Sequence, residues 1–369
     1  MVGGGQLARM THQAAIDLGV ELWVLCPDAD APAVRAGARH CPGSPERAED
    51  LRRLAARCDV ITLDHERTPI EHLEALVRGG HRVAPGPFAA RLGQDKAHAR
   101  EVLEPLGVPC APWARTEHVD DVVAFGERHG WPLYLKRPAG GYDGRGVWRV
   151  EGPAEAAAVV AEVGQVLVEP DVAFTHELSV IVVRSATGEV VTYPTLETVQ
   201  RDGCCEEVLA PAGVSAEQGE EARALAESIA RSVELVGTMA VELFAAPDGL
   251  LLNELAVRPH NSGHLTIEAC ATSQFENHLR AVLGLPLGST DLVVGAAAMI
   301  NLTGSPDGSD PLRHLSHALS VPGARVHAYQ KQARPGRKLG HVTATGSTRD
   351  EAHATVSAAS QALVAGVAS

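Results

Sequence analysis

Residues 238–259, TMAVELFAAPDGLLLNELAVRP, hold two apolar β-type runs separated by Ala246-Pro247-Asp248-Gly249. Proline fixes φ and glycine supplies φ > 0, so the tetrapeptide predicts a reverse turn and its flanks an antiparallel hairpin. A hairpin centred on Asp248 puts Glu242 opposite Glu254, and directly opposed residues hold their Cβ atoms about 4.5–5.5 Å apart. Two carboxylates that close, each flanked by Leu, Val or Ala, repel one another. Either a cation sits between them or one is protonated; the plain alternative is a solvent-exposed face with ordinary glutamates. Hard oxygen ligands at this spacing suit magnesium, which takes one or two carboxylates plus phosphate oxygens. Asn253 offers a further oxygen. All of this depends on register, since a slip of one residue turns every side chain to the other face.

Around this hairpin the 369 residues predict two or three domains. Residues 1–90 alternate short apolar runs with helical patterns: a glycine-rich turn, a helix over 8–18, ELWVLCPDAD, a helix around 51–57, and DVITLDHE. That rhythm marks a parallel sheet with helical crossovers, so the fold class is α/β, with an α+β central part. Ala84-Pro85-Gly86-Pro87 closes this block. The stretch QDKAHAREVLEPLG predicts one helix ended by Gly107 and Pro109. Ala222, Leu225, Ala226, Ile229, Ala230 and Val233 recur at three- and four-residue spacing, which predicts an amphipathic helix with Gly237 at its end.

Two glycine-rich segments suggest anion binding. Gly3, Gly5 and Ala8 fit G-x-G-x-x-G/A, with Asp28 at the distance expected of a ribose-binding acid, and the helix head could hold a phosphate. Only Met1 and Val2 precede the glycines, so either the true start lies upstream or the first strand is stunted. The second segment, Gly140-Gly141-Tyr142-Asp143-Gly144-Arg145-Gly146, lies between an apolar run ending at Lys136 and the strand VWRV. Four glycines in seven residues let a backbone close over an anion and fit a moving lid. No Walker A pattern occurs. His260 and His264 mimic a metal pair, but Pro259 and Gly263 argue against a helix there; a substrate loop with Arg258 as anion partner fits better. Arg334-Pro335-Gly336-Arg337-Lys338 is either an exposed loop or a second phosphate clamp.

Composition bounds the partners. Lys plus Arg is 32 against Asp plus Glu 46, a net charge of -14, and there is no run of basic residues, so nucleic-acid polymers and anionic membranes are excluded as partners. No apolar stretch suits a membrane span, and the N-terminus does not read as a signal peptide. The seven cysteines are odd in number, scattered and free of C-x-x-C, as expected of reduced cytosolic thiols without a zinc site.

GGGQLARM, DHE at 64–66, QDK at 94–96, GGYDGRG, ELSVIVVRS, YPTLETVQRDG, AVELF, NELAVRPHNSGH, TSQFENHLRAVLGLPLG and RPGRKLGH together resemble the 5-(carboxyamino)imidazole ribonucleotide synthase family of ATP-grasp enzymes. The resemblance runs from residue 3 to about 345. Members often have Pro where Val257 stands and lack Asn277 after QFE. The resemblance implies a Rossmann-like domain (1–90), an ATP-grasp domain (91–278) with a glycine-rich flap at 139–147, and a small C-terminal domain (279–369). It implies that ATP, bicarbonate and 5-aminoimidazole ribonucleotide give ADP, phosphate and the N-carboxylated ribonucleotide, in de novo purine biosynthesis. It further implies a cytoplasmic homodimer whose product passes to a downstream mutase.

Carried over residue by residue, the resemblance puts Arg91, Lys96 and Lys136 on the ATP phosphates. The flap then comprises Gly141, Tyr142, Asp143, Gly144, Arg145, Gly146 and Val147. Glu169, Pro170, Asp171 and Val172 would meet the adenine, and Glu177 the ribose, with Gln200 beside it. Glu242 and Glu254 would hold magnesium, with Asn253 adjacent, in agreement with the hairpin. The ribonucleotide side would comprise Gly5, Gln6, Leu7 and Glu66 together with Arg258, His260, Asn261 and Ser262. Tyr142, Asp143, Arg337 and Lys338 would complete it. Asp143 is the expected acceptor of the amine proton, with Tyr142 beside it, while Arg258 and Lys338 orient bicarbonate or the leaving phosphate. The rival readings are a sister ATP-grasp ligase or transformylase on another purine intermediate, and a dinucleotide-binding dehydrogenase or sensor resting on Gly3 to Ala8. A catalytically dead nucleotide-binding protein is disfavoured by the presence of Lys96, Lys136, Glu242, Asn253 and Glu254.

Overall fold

The computed structural model describes residues 1–141, 146–201 and 203–365. At the N-terminus, strand Trp23–Cys26 pairs in parallel with Arg39–Pro42, and Val2 bridges in parallel to both Leu25 and Leu63. The opening strand is thus represented by Val2 alone, while Ile61 continues the parallel pattern to Val83. Val2, Leu25, Cys41, Leu51, Leu54 and Leu73 are buried together beneath the crossover helices.

The central segment builds a four-stranded antiparallel sheet in the order Ala114–Thr116, Val166–Pro170, Leu133–Lys136, Val147–Val150. A nine-stranded sheet holds the rest. Its path runs Gly249–Ala256, Gly237–Ala246, His176–Arg184, Leu196–Arg201, Cys204–Ala210, Ala296–Thr303, Lys338–Gly346, Arg325–Ala328, with Val190–Thr192 paired beside His176–Arg184. The strands beyond residue 279 therefore extend the central sheet; no break in hydrogen bonding accompanies the change of chain segment. Helix Arg349–Ala365 covers this end, with Ala352, Val356, Ala359 and Leu363 packed on Ala298, Val342 and Ala344.

Two helices differ from the sequence expectation. Ala216–Ser232 buries Ala222, Ala226, Ile229 and Ala230 against the sheet as its spacing predicts, but Gly237 does not end it. Glu234 adopts the left-handed conformation (φ 50°), and Gly237 (φ 116°) starts the next strand. The stretch read as one helix from Gln94 is divided at Asp95, which is extended and caps Lys96–Leu103 by accepting from the amides of Ala97 and His98 at 3.0 Å. Capping at this point places Lys96 on the first turn.

Candidate active site

Ala246 pairs with Gly249, so the turn is centred between Pro247 and Asp248 and not on Asp248. In that register Glu242 would face Asn253. A β-bulge between Glu242 and Leu243 adds one residue to the second strand, and Glu242 pairs with Glu254 after all. The extra residue is Asn253, whose Oδ1 accepts from Lys136 Nζ at 3.2 Å; bulges re-aim side chains in this way. On the other flank Glu242 pairs with Ser179 and Phe244 with Glu177. Strand alternation therefore sets Glu177, Ser179, Glu242 and Glu254 on one face. Burial raises the Glu242 carboxyl above its ordinary value, with Lys96 the strongest of the cations opposing it. Glu177 is pushed up to about 7 by burial and then by the charge of Glu242, against a hydrogen bond from Gln200. A face with this much crowded acid favours a cation.

Two lysines reach this face. Lys96 pairs with Glu254, and burial followed by the charge of Lys136 lowers its ammonium to about 8. Lys136 Nζ lies 2.7 Å from Glu169 Oε2. Burial would raise the Glu169 carboxyl, but Lys136 and Arg100 together outweigh it and hold it below its ordinary value. The side chain of Glu169 thus points at cations, leaving its backbone to the adenine expected there. Pro170 and Val172 are half-buried, and exposed Asp171 lies 3.6 Å from Arg149. Phe174 and Phe244 stack at 4.7 Å beside this segment. The glycine-rich flap joins Leu133–Lys136 to Val147–Val150, and Gly140 and Gly146 both have φ of 81°. Its base is tied to the Lys96 helix by Lys96 N–H donating to Pro138 O at 2.8 Å. Of the flap, Gly141, Gly146 and Val147 are described; Tyr142, Asp143, Gly144 and Arg145 lie outside the described residues.

Arg258 and Glu66 meet at 2.6 Å, joining the N-terminal domain to this face. His260 Nε2 is 3.6 Å from Glu242 Oε1, and burial keeps the ring well below its ordinary pKa and hence neutral. Its Nδ1 shares a 2.9 Å hydrogen bond with Ser262 Oγ, which lies 2.7 Å from Ser179 Oγ. Ser262 is fully buried, and Asn261 exchanges reciprocal amide bonds with Asn301 at 2.8 and 2.7 Å. In this arrangement the two side chains fix the loop. Lys338 begins strand Lys338–Gly346 close enough to lower Glu242 and His260 electrostatically. Arg337 is half-buried and donates to Gln332 O at 3.1 Å.

The N-terminal glycines behave differently from the dinucleotide motif they match. Asp64 accepts from Gly5 N–H at 2.7 Å and from Ala8 N–H at 3.1 Å, so an internal carboxylate occupies the helix head where a phosphate was expected. A Cβ on Gly3 would fall 2.7 Å from Asp64 Cβ, so the glycine makes room for this acid. Asp28 accepts from Asp30 N–H in a local turn. Gln6 accepts from Lys331, and Leu7 is buried with Met10, Phe275 and Tyr329. The Arg91 side chain is exposed on Pro87–Gln94 and makes no hydrogen bond or ion pair with another described residue.

Sequence reasoning missed Asp64, Ser179, Asn301 and Arg100. Asp64 lay within DHE, but only Glu66 of that triplet was assigned a role. Arg100 is 1% exposed and joins Lys96 O, Asn253 O and Glu169. A lone arginine in a helical stretch carries no local sign of such a role.

Three family models match successive parts of the chain: the ribonucleotide synthetase preATP-grasp domain over residues 1–94, the ATP-grasp domain over 101–275, and the phosphoribosylaminoimidazole carboxylase C-terminal domain over 297–355. The N5-carboxyaminoimidazole ribonucleotide synthase of Mycobacterium leprae (strain TN) is 45% identical, with 96% of this chain and 85% of the relative covered. That of Corynebacterium ammoniagenes is 39% identical, covering 95% of this chain and 88% of the relative. Among solved structures, the Aspergillus clavatus N5-carboxyaminoimidazole synthase in complex with ADP and 5-aminoimidazole ribonucleotide has a TM-score of 0.91 at 36% identity, covering 99% and 97% of the two chains. The N5-carboxyaminoimidazole ribonucleotide synthetase of Thermus thermophilus has a TM-score of 0.89 at 35% identity, covering 98% and 97%.

Proposed function

The chain belongs to the N5-carboxyaminoimidazole ribonucleotide synthases, ATP-grasp ligases of purine biosynthesis, and from that membership we propose how its own residues divide the reaction. The carrying observation is the convergence of Glu242, Glu254, Lys96 and Lys136 on one face from separate parts of the chain. The Aspergillus relative was solved with ADP and 5-aminoimidazole ribonucleotide, which supports the same ligand classes here.

ATP lies with its phosphates toward Lys96 and Lys136 and its ribose toward Glu177 and Gln200. Glu242 and Glu254 fit magnesium: they are paired hard-oxygen donors, Glu242 is raised by burial, and Asn253 adds a carbonyl oxygen beside them. Magnesium held there would neutralise charge on the β- and γ-phosphates. A bicarbonate oxygen attacks the γ-phosphorus, the bond to the β-phosphate oxygen breaks, and ADP leaves carboxyphosphate. The exocyclic amine then forms the C–N bond as phosphate departs, and Asp143 takes the amine proton. Arg258, fixed by Glu66, and Lys338 orient the small anions, while neutral His260 supports Glu242. Closure of the glycine-rich flap keeps water from carboxyphosphate. Exposed Arg91 has room to swing onto a phosphate group when ligand enters, and half-buried Arg337 would do so by giving up its bond to Gln332 O.

The family likeness also supports a homodimer, a cytoplasmic setting and a downstream mutase as consumer of the product. No helix among the described residues is long and apolar enough to cross a membrane.

Coupled ADP release with ATP, bicarbonate and 5-aminoimidazole ribonucleotide, omitting each in turn, tests the assignment. ADP release that follows glycinamide ribonucleotide instead would move the protein to a sister ligase. Asp143→Asn is expected to bind ATP and ribonucleotide near normally while carboxylation slows by about 10²–10⁴-fold; full turnover in that variant removes Asp143 as the base.

A further inference from the structure

Arg100 belongs to none of the contacts assigned to ATP, bicarbonate or ribonucleotide, yet its partners are all on segments that carry such contacts. It lies one helical turn after Lys96, and its Nη1 donates to Lys96 O at 3.0 Å. Its Nη2 donates to Asn253 O at 2.9 Å, on the bulge that sets Glu254 opposite Glu242. The same guanidinium pairs with Glu169 Oε1, while the other oxygen of Glu169 lies 2.7 Å from Lys136 Nζ. Lys136 in turn donates to Asn253 Oδ1 at 3.2 Å.

A buried ion pair is a poor device for stability alone, because apolar residues of similar volume do as well or better. Here a planar fork meets two carbonyls and a carboxylate at once, a geometry that the single ammonium of lysine does not reproduce. We propose that Arg100 is a positioning residue: it locks the head of the Lys96 helix, the Asn253 bulge and the Glu169 carboxylate into one unit, and so fixes where Lys96 and Lys136 meet the ATP phosphates. This rests on the reading that those two lysines hold the phosphates.

The test compares Arg100→Lys, Arg100→Met and Arg100→Met/Glu169→Gln, with Lys136→Met as the check on the underlying reading. Arg100→Lys keeps the charge and loses the fork; KM for ATP is expected to rise roughly 10- to 100-fold. KM for 5-aminoimidazole ribonucleotide should stay within about twofold, because no partner of Arg100 is on that side. Arg100→Met leaves buried Glu169 with one cation, so the acid limb of kcat/KM for ATP should move to higher pH. The double variant should return that limb and refold well, since no buried carboxylate is left short of a partner, but should keep the raised KM. An unchanged KM for ATP in Arg100→Lys and in the double variant overturns the proposal. So does a loss that falls equally on both substrates in parallel with thermal stability. If Lys136→Met binds ATP as tightly as the parent, the phosphate reading itself fails; if that variant loses ATP while the Arg100 variants keep it, only the role of Arg100 fails.

Discussion

Replacing Glu254 by Gln is expected to cut ATP cleavage by about 10²–10³-fold and to raise the magnesium concentration needed for what remains. The substitution keeps the shape of the side chain and removes one of two facing charges. Two effects compete. Relief of the repulsion from Glu242 favours the folded state, since like charges directly opposed across strands destabilise a sheet. Against that, Lys96 loses its partner, and burial has already lowered its ammonium to about 8. The melting temperature should therefore change little while activity collapses, which separates a ligand role from a structural one. Both arms are measured on one preparation, by ADP release across a magnesium titration and by thermal unfolding. Normal ATP cleavage at low magnesium would show that the carboxylate pair does not hold the metal.

Acidification is expected to unfold the protein steeply between pH 6.5 and 5. Four histidines, His260, His264, His278 and His341, are buried and held neutral, His278 at about 3 and the others well below 6.5, each chiefly because burial penalises the charged ring. Their folded pKa values are depressed, so below pH 6.5 the unfolded chain binds protons that the native state refuses, and stability falls with pH. Each such ring costs up to about 1.4 kcal/mol per pH unit below its unfolded value, or about 2 kcal/mol by pH 5 for His278. Glu177, raised to about 7, works the other way: the native state takes its proton first and returns about 2 kcal/mol by pH 5. Glu242 is raised as well and pulls in the same direction. Four rings outweigh two raised carboxyls, and the balance is drawn from a total of only about 5–15 kcal/mol for a typical domain.

His264→Phe isolates one of these rings. His264 stacks on His341 at 4.8 Å and on Phe275 at 5.8 Å, and neither ring nitrogen has a hydrogen-bond partner among the described residues. Phenylalanine keeps the stack and cannot titrate. Stability against pH should then fall about 1.4 kcal/mol per unit less steeply than in the parent over this window. Identical slopes for the two proteins would mean that His264 is not held neutral.

What the sequence disclosed follows the range of the interactions involved. The Glu242 and Glu254 pairing was legible because a Pro-Asp-Gly turn and strand alternation are local signals. The centre was nonetheless misplaced by half a residue, and the bulge that restores the pairing left no mark in composition. Spacing located the buried stripe of Ala216–Ser232, yet the left-handed Glu234 that ends the turn is not a residue type that advertises such a role. The Gly3 to Ala8 segment has the dinucleotide spacing, but Asp64 fills its helix head from more than fifty residues away. Asn261 pairs through both ends of its amide with Asn301, forty residues on, a contact that no local pattern announces. Polar groups whose partners are distant in sequence look free in a linear reading, because the partner is brought in only by the fold.

The nine-stranded sheet continues unbroken from the carboxylate hairpin to the strand bearing Lys338, whereas the four-stranded sheet shares no strand with it. In mechanical terms the first is a stiff plate and the second a separate leaf, fastened to it by the Arg100 junction and by short bridges at Asp95 with Ala139 and Cys110 with Leu252. Such an assembly bends at its fastenings before it bends in its plates. Glu242, Glu254 and Lys338 thus share one continuous ladder of hydrogen bonds that sets their spacing, while Lys136 and Glu169 belong to the leaf and hold their place over that plate only through the clasp at Arg100.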